Sequence, residues 1–340
     1  MEVLVISIIK IVLVMLVMLT VVANLVYVER KVSAFIQNRI GPNRVGPFGL
    51  LQAPADVLKL FMKEEIVPAS ANKFVHTLAP IISITVALVT FAVIPFGSTI
   101  HLFGYDIQLM IADVNIGVLY ILALTSLGVY GITLSGWSSN NKYSLLGGLR
   151  SSAQLISYEL SMGLSIVGVI MIAGTLELDK IVEMQAGWHW NAILTPIGFI
   201  TFVVASFAET NRLPFDLPEA EPELVGGYHT EYSGMKFGAF FLAEYSNMIT
   251  SSALIVTLFL GGWQFPYLET FGLSPMWVSI IHILTFVSKV VGTLFFYIWI
   301  RWTIPRFRYD QLMNLGWKVM LPLALLNLVY VAAMMLIFGL

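Results

Sequence analysis

VLVISIIKIVLVMLVMLTVVANLVYV, residues Val3–Val28, decides the fold. Lys10 is the one charged residue in it. A helix rises ~1.5 Å per residue, so about 20 apolar residues cross a hydrocarbon core ~30 Å thick. The run meets that length without the weak alternation of a barrel strand. It starts with no basic leader and has no small-residue cleavage site, so it reads as a first span and not as a removable signal.

Seven further apolar runs follow, near 74–95, 115–135, 152–174, 191–208, 237–260, 278–300 and 317–339. Over the whole chain 58% of residues are hydrophobic and 11% charged, with mean hydropathy +0.86. A soluble domain carries about 25% charged residues. The expectation is an all-α polytopic membrane protein, one integral membrane domain over 1–340 with about eight transmembrane helices. The bilayer is its solvent, and no nucleic-acid partner is expected.

The segments between the runs alternate in charge. Those at 29–73, 136–151, 209–236 and 301–316 hold 14 Lys and Arg residues; those at 96–114, 175–190 and 261–277 hold Lys180 alone. Basic loops stay in the cytoplasm, so both termini are expected on the outer side. Trp188, Trp190, Trp263, Tyr267 and Trp277 fall where an outer aromatic belt would lie.

The first cytoplasmic loop opens with the turn-rich stretch Gly41–Pro47. Beyond it Gln52, Asp56, Lys59 and Lys63 recur at helical spacing, while Leu51, Leu58, Met62, Val57 and Phe61 occupy other faces. That pattern fits a short amphipathic helix lying in the membrane interface, or one that merely covers the end of the bundle. The loop 209–236 carries Glu209, Arg212, Asp216, Glu219, Glu221, Glu223 and Glu231, interleaved with Pro214, Phe215, Pro218, Leu224, Val225 and Tyr228. A free charged loop would lack those apolar residues. The mixture predicts a folded loop tucked against the bundle or a partner.

Ionisable residues inside spans are expensive and lead the search for function. Glu159 follows Arg150 by nine residues and Glu244 follows Lys236 by eight, which puts both carboxylates roughly 12–14 Å inside the cytoplasmic helix ends. Lys289 precedes Arg301 by twelve residues, roughly 18 Å in from the same side. Glu209 ends the fifth run and would connect the acidic loop to the buried glutamates. Buried acids of this kind pass protons; a Glu–Lys pair that only holds helices together gives the same spacing.

The chain has no cysteine, which excludes disulfides, Fe–S clusters and thiolate chemistry within it. Its five histidines are scattered, so no metal or haem site follows from local spacing. Phosphate-loop, dinucleotide and nucleophile-elbow motifs are absent from the sequence. From the residues alone, the chain is an ion- or proton-handling membrane protein with an elaborate cytoplasmic face.

Several stretches are more specific: Glu29-Arg30-Lys31; GPNRVGPFGLLQAPADVLKLFMKE from Gly41; AETNRLPFDLPEAEPELVGG from Ala208; EYSGMKF from Glu231; FLAEYSNMI from Phe241; ISYEL from Ile156; and IRWTIPRFRYDQLM from Ile300. Together they resemble the H-subunit family of respiratory complex I, the counterpart of mitochondrial NADH dehydrogenase subunit 1. The resemblance covers nearly the whole chain. It implies the membrane subunit of a proton-pumping NADH:quinone oxidoreductase in the bacterial cytoplasmic membrane. Quinone would be the substrate, and FMN and Fe–S clusters would reside in partner subunits. Those partners would be the cluster-bearing and quinone-site subunits of the hydrophilic arm, and the small and antiporter-like membrane subunits. It further implies that Glu29, Arg30, Asp56, Lys59, Lys63, Arg212, Asp216, Glu219, Glu221, Glu223 and Glu231 face the quinone chamber. Glu159, Glu209 and Glu244 would form the proton pathway, with Lys289 at a matching buried position. The rivals are a membrane subunit of an energy-converting hydrogenase or ferredoxin-dependent complex, a purely structural docking subunit, and a stand-alone transporter. The last would show inverted repeats and paired broken helices, which the sequence does not display.

Overall fold

The computed structural model describes residues 2–102, 105–217, 221–268, 272 and 274–338. Seven helices are long and apolar enough to cross a membrane: Val5–Ile36, Lys73–Val93, Gly117–Ser138, Lys142–Ala173, Gly234–Phe259, Pro275–Thr303 and Tyr309–Phe338. The remaining run, the fifth, near 191–208, is not one helix. It is split at Thr195 into Asn191–Leu194 and Pro196–Glu209. Proline is well placed in a first helical turn but ends what precedes it. The freed amide of Gly198 donates to Asn327 Oδ1 at 2.9 Å. Nothing in the hydropathy announces this break.

α1 (Glu2–Ile36) runs well past the expected span, so Glu29 and Arg30 project from a continuous helix and not from a loop. No helix breaker occurs before the turn around Asn38, whose φ is 53°. The chain then folds back tightly: Gly49 has φ 83°, and a Cβ there would stand 2.2 Å from the Pro42 carbonyl oxygen. α2 (Gln52–Met62) follows at the expected place. Asp56, on its polar side, pairs with Arg30 of α1, and Val57, Leu58, Phe61 and Met62 are exposed. An apolar face turned outward at the end of a bundle is the geometry of a helix bedded in the interface.

α3 (Lys73–Val89) is capped by Asn72, whose side chain accepts from the Val75 amide. An antiparallel hairpin of β1 (Thr99–Leu102) and β2 (Tyr105–Gln108), unforeseen from the sequence, closes the first outer connection. α4 (Gly117–Ser138) and α5 (Lys142–Ala173) form a close antiparallel pair. Small residues permit it: a Cβ on Gly136 would lie 2.5 Å from the Ser144 carbonyl oxygen. α5 begins ten residues before the expected span, so Arg150 lies within the helix.

The short outer helix α6 (Leu178–Met184) precedes α7 (Asn191–Leu194) and α8 (Pro196–Glu209), which packs along α5. A loop containing the single turn α9 (Glu221–Leu224) leads into α10 (Gly234–Phe259). α10 is the central helix: from Tyr245 to Phe259 every residue but Asn247 is buried. α11 (Pro275–Thr303), α12 (Tyr309–Asn314), a π-helical turn at Leu315–Met320 and α13 (Leu321–Phe338) complete the bundle.

If the broken segment counts as a crossing, eight crossings return both termini to one face. Because the chain is free of cysteine, single substitutions test this directly with a membrane-impermeant maleimide. Lys63→Cys and Lys142→Cys should label only in inside-out vesicles, and Trp188→Cys and Tyr267→Cys only in right-side-out ones. All four residues are exposed. The opposite sidedness would refute the charge-based orientation.

Candidate functional site

At the end of the bundle that carries the basic loops, four segments bring their charges to one point. α1 contributes Glu29, the turn after α8 contributes Arg212, α10 contributes Glu244 and Tyr245, and α11 contributes Arg301. Arg212 is 2% exposed. Its Nη1 donates to both carboxylate oxygens of Glu29, at 3.2 and 3.1 Å, and its Nε lies against Glu244 Oε1. The guanidinium also stacks 4.1 Å over the Tyr245 ring, and the Tyr245 hydroxyl donates to Glu29 Oε2 at 2.7 Å. Arg301 forms a second ion pair with Glu29. Two cations and two carboxylates thus close a neutral group. Burial alone would lower the Arg212 pKa, but the carboxylates of Glu244 and Glu29 outweigh it and raise the net value.

Next to this cluster lies a cavity of about 60 Å³. It is large enough to admit water. Glu159, Glu209 and Glu244 all line it, from α5, α8 and α10. α4 brings hydroxyls to two of them: Ser126 donates to Glu159, and Thr125 lies beside Glu209 in the cavity wall. Glu209 is partly exposed, and its side chain lines the cavity. Glu244 is the common member: one side chain lines the acid cavity and touches Arg212.

The other expected residues spread outward. Asp216 pairs with Arg306 at 3.0 Å. Arg30 and Asp56 form a partly exposed pair at 2.5 Å that fastens α2 to α1. Arg150 reaches Glu223 at 2.8 Å, and Asn141 donates to Glu231 at 2.6 Å. Lys59 and Lys63 are exposed. Glu221 opens α9; Glu219 lies outside the described residues. Lys289 does not join the acids. Its ammonium donates to the carbonyls of Leu260, Gly262 and Gln264, at 2.8, 3.0 and 2.9 Å, and so caps the outer end of α10. It also borders an apolar crevice of about 820 Å³ between α8, α11 and the π turn, which shares no lining residue with the acid cavity.

Sequence reasoning does not find Arg301, Arg306, Tyr245, Thr125 or Ser126 as site residues. It uses the two arginines only for the sidedness of their loop. Their place in IRWTIPRFR, directly after an apolar run, is the available signal.

A helical bundle with buried acids beneath a charge-paired loop defines a polytopic integral membrane protein. Similarity to known proteins places it more narrowly. A family model described as NADH dehydrogenase matches residues 9–332, and the chain belongs to that family. It is 55% identical over 312 residues to an H subunit of NADH-quinone oxidoreductase from Cytophaga hutchinsonii, covering 92% of this chain and 91% of the relative. It is 56% identical over 318 residues to NADH-quinone oxidoreductase subunit 8 of Rhodothermus marinus, with 91% of each chain covered. The NADH-quinone oxidoreductase H subunit of Salinibacter ruber is 53% identical over 331 residues, covering 93% of this chain and 92% of that one.

Replacing Arg212 by Met would leave Glu29 short of one partner and Glu244 without its cation. Removing one partner of a buried pair costs about 3–5 kcal/mol. The expected result is a clear drop in the thermal-inactivation midpoint of the assembled protein. Arg212→Met with Glu244→Gln should recover part of that loss, since the two residues are coupled. A single variant as stable as the parent would show that the cluster does not hold these helices.

Proposed function

We propose that this chain is the membrane subunit of a proton-pumping NADH:quinone oxidoreductase in the bacterial cytoplasmic membrane. In this reading it forms the membrane wall of the quinone chamber and couples quinone reduction to proton displacement. The names of its relatives support the assignment to the enzyme. The coupling role rests on one observation: Glu244 is shared by the Arg212 ion cluster and the acid cavity.

Quinone reduction adds electrons and takes up protons at a headgroup, so charge changes beside the loop that carries Arg212 and Asp216. Any displacement of that loop alters the contact between Arg212 and Glu244. A close cation favours the ionised form of Glu244; withdrawing it removes that support and favours binding of a proton. Glu209 and Glu159, in the same cavity, are placed to exchange that proton with Glu244 through water or hydroxyl bridges. The loop responds to the chemistry and the cavity carries the consequence.

This chain's own part is to bind, orient and transfer protons. The electron-carrying groups, FMN and Fe–S clusters, belong in this reading to the hydrophilic-arm subunits, in line with a sequence that has no cysteine to hold a cluster. The exposed apolar side of α2 and the acidic loop together would give a long-tailed quinone an apolar approach and a polar headgroup environment.

Glu159→Gln, Glu209→Gln and Glu244→Gln test the coupling in the whole complex reconstituted into vesicles. Each variant should assemble and reduce quinone yet move fewer protons per electron. Native pumping ratios in variants that assemble and turn over would sink the role given to the cavity.

A further inference from the structure

The cytoplasmic end of α3 holds a histidine that the coupling scheme does not use. His76 lies in the first turn of that helix and is completely buried. Its imidazole is stacked face to face on Tyr232, with centroids 3.9 Å apart and planes 5° from parallel. The Tyr232 hydroxyl meets Ser138 Oγ at 3.3 Å. The main-chain carbonyl of Glu231 is within reach of the ring, but neither nitrogen makes a hydrogen bond of good geometry. A buried polar group left in that condition calls for an explanation.

Its position supplies one. Ser83 follows His76 by seven residues, two turns on along the same face of α3, and lines the acid cavity. On the opposite side the ring feels Glu65, from the segment after α2, Glu231, from the loop, and Lys236, from α10. The Glu65 side chain is 45% exposed and pairs with Lys236 at 3.5 Å, so this edge opens to the cytoplasmic surface. Between ring and cavity stand Tyr232, Phe240 and Tyr228, in edge contact at 5.0 and 5.4 Å, the last two of them cavity-lining residues. His76 therefore stands between a solvent-facing charged edge and the glutamates.

We propose that His76 is the relay through which the acid cavity takes up protons from the cytoplasm. The inference rests on reading that cavity as a proton path. A proton arriving at one ring nitrogen from the Glu65–Glu231 edge makes the imidazolium. Loss of the proton from the other nitrogen, toward Ser83 and the cavity, restores the neutral ring, and one proton has crossed it. Rotation of the ring resets the tautomer. Seven residues of helix span about 10 Å, and the packed rings of Tyr232, Phe240 and Tyr228 occupy the near part of it, so the transfer requires those rings to part and admit water between His76 and the Ser83 hydroxyl.

The test uses the complete complex in vesicles, with proton uptake on the cytoplasmic side read by a pH-indicating dye while quinone turns over. His76→Phe keeps the stack on Tyr232 and removes the titrating nitrogens. Uptake should slow by at least about tenfold, because a positioned acid–base group contributes 10²–10⁴-fold to a proton transfer. The pH dependence of uptake between about pH 5 and 8, where an imidazole changes charge, should flatten. Glu159→Gln is measured in parallel. Native uptake and an unchanged pH profile in His76→Phe, alongside lost pumping in Glu159→Gln, overturn the relay and leave the cavity reading standing. A native pumping ratio in Glu159→Gln overturns both. If His76→Phe does not assemble, His76→Gln carries the same two outcomes.

Discussion

A single guanidinium, that of Arg212, sits almost without solvent between carboxylates from two helices, and the half of the protein that carries the basic loops is arranged around it. An isolated buried charge is untenable, since the effective cost of desolvating one ion is several kcal/mol. Arg212 is accommodated only because Glu29 and Glu244 arrive from α1 and α10, and Glu29 in turn needs Arg301 from α11. The four charges form one unit. Each of the three helices must end where it does for the unit to close.

The constraint explains features that otherwise look unrelated. α1 continues beyond the membrane-spanning length because Glu29 has to reach the loop. The chain turns sharply after Glu209 so that Arg212 points back into the bundle, and Tyr245 fills the side of the guanidinium that no carboxylate covers. Asp216 and Arg306 fasten the same turn to the segment after α11. Placing Glu244 at the edge of this unit and in the wall of the acid cavity makes its protonation sensitive to where the loop lies. A purely structural ion pair would have no need to share a cavity with two further glutamates.

Much of this is legible in the sequence, and the parts that are not fail for identifiable reasons. Hydropathy locates the apolar runs, and spacing puts Glu159 and Glu244 at a common depth, because a helix converts residue number directly into distance. Helix ends are less legible: hydropathy reports where lipid solubility stops, not where hydrogen bonding stops, so it misses the extensions of α1 and α5. The break at Thr195–Pro196 sits inside an apolar run, and its stabilising partner, Asn327, lies 129 residues from Gly198. The spacing of Lys289 suggests a partner for acids, whereas its acceptors are main-chain carbonyls, to which side-chain patterns are blind. Arg301 is hidden for a different reason. A basic residue at the end of a span is usually a sidedness marker, and only three-dimensional proximity shows that it neutralises Glu29.

Coupling through the shared glutamate requires that Glu244 change protonation when quinone is reduced. Reaction-induced infrared difference spectroscopy of the reconstituted complex addresses this most directly, through the carbonyl stretch of protonated carboxyl groups. The expected spectrum has a carboxyl band that changes on quinone reduction, is absent in Glu244→Gln, and is altered when Arg212 is replaced. A difference spectrum without a carboxyl change, or with one that Glu244→Gln leaves intact, would contradict the coupling role.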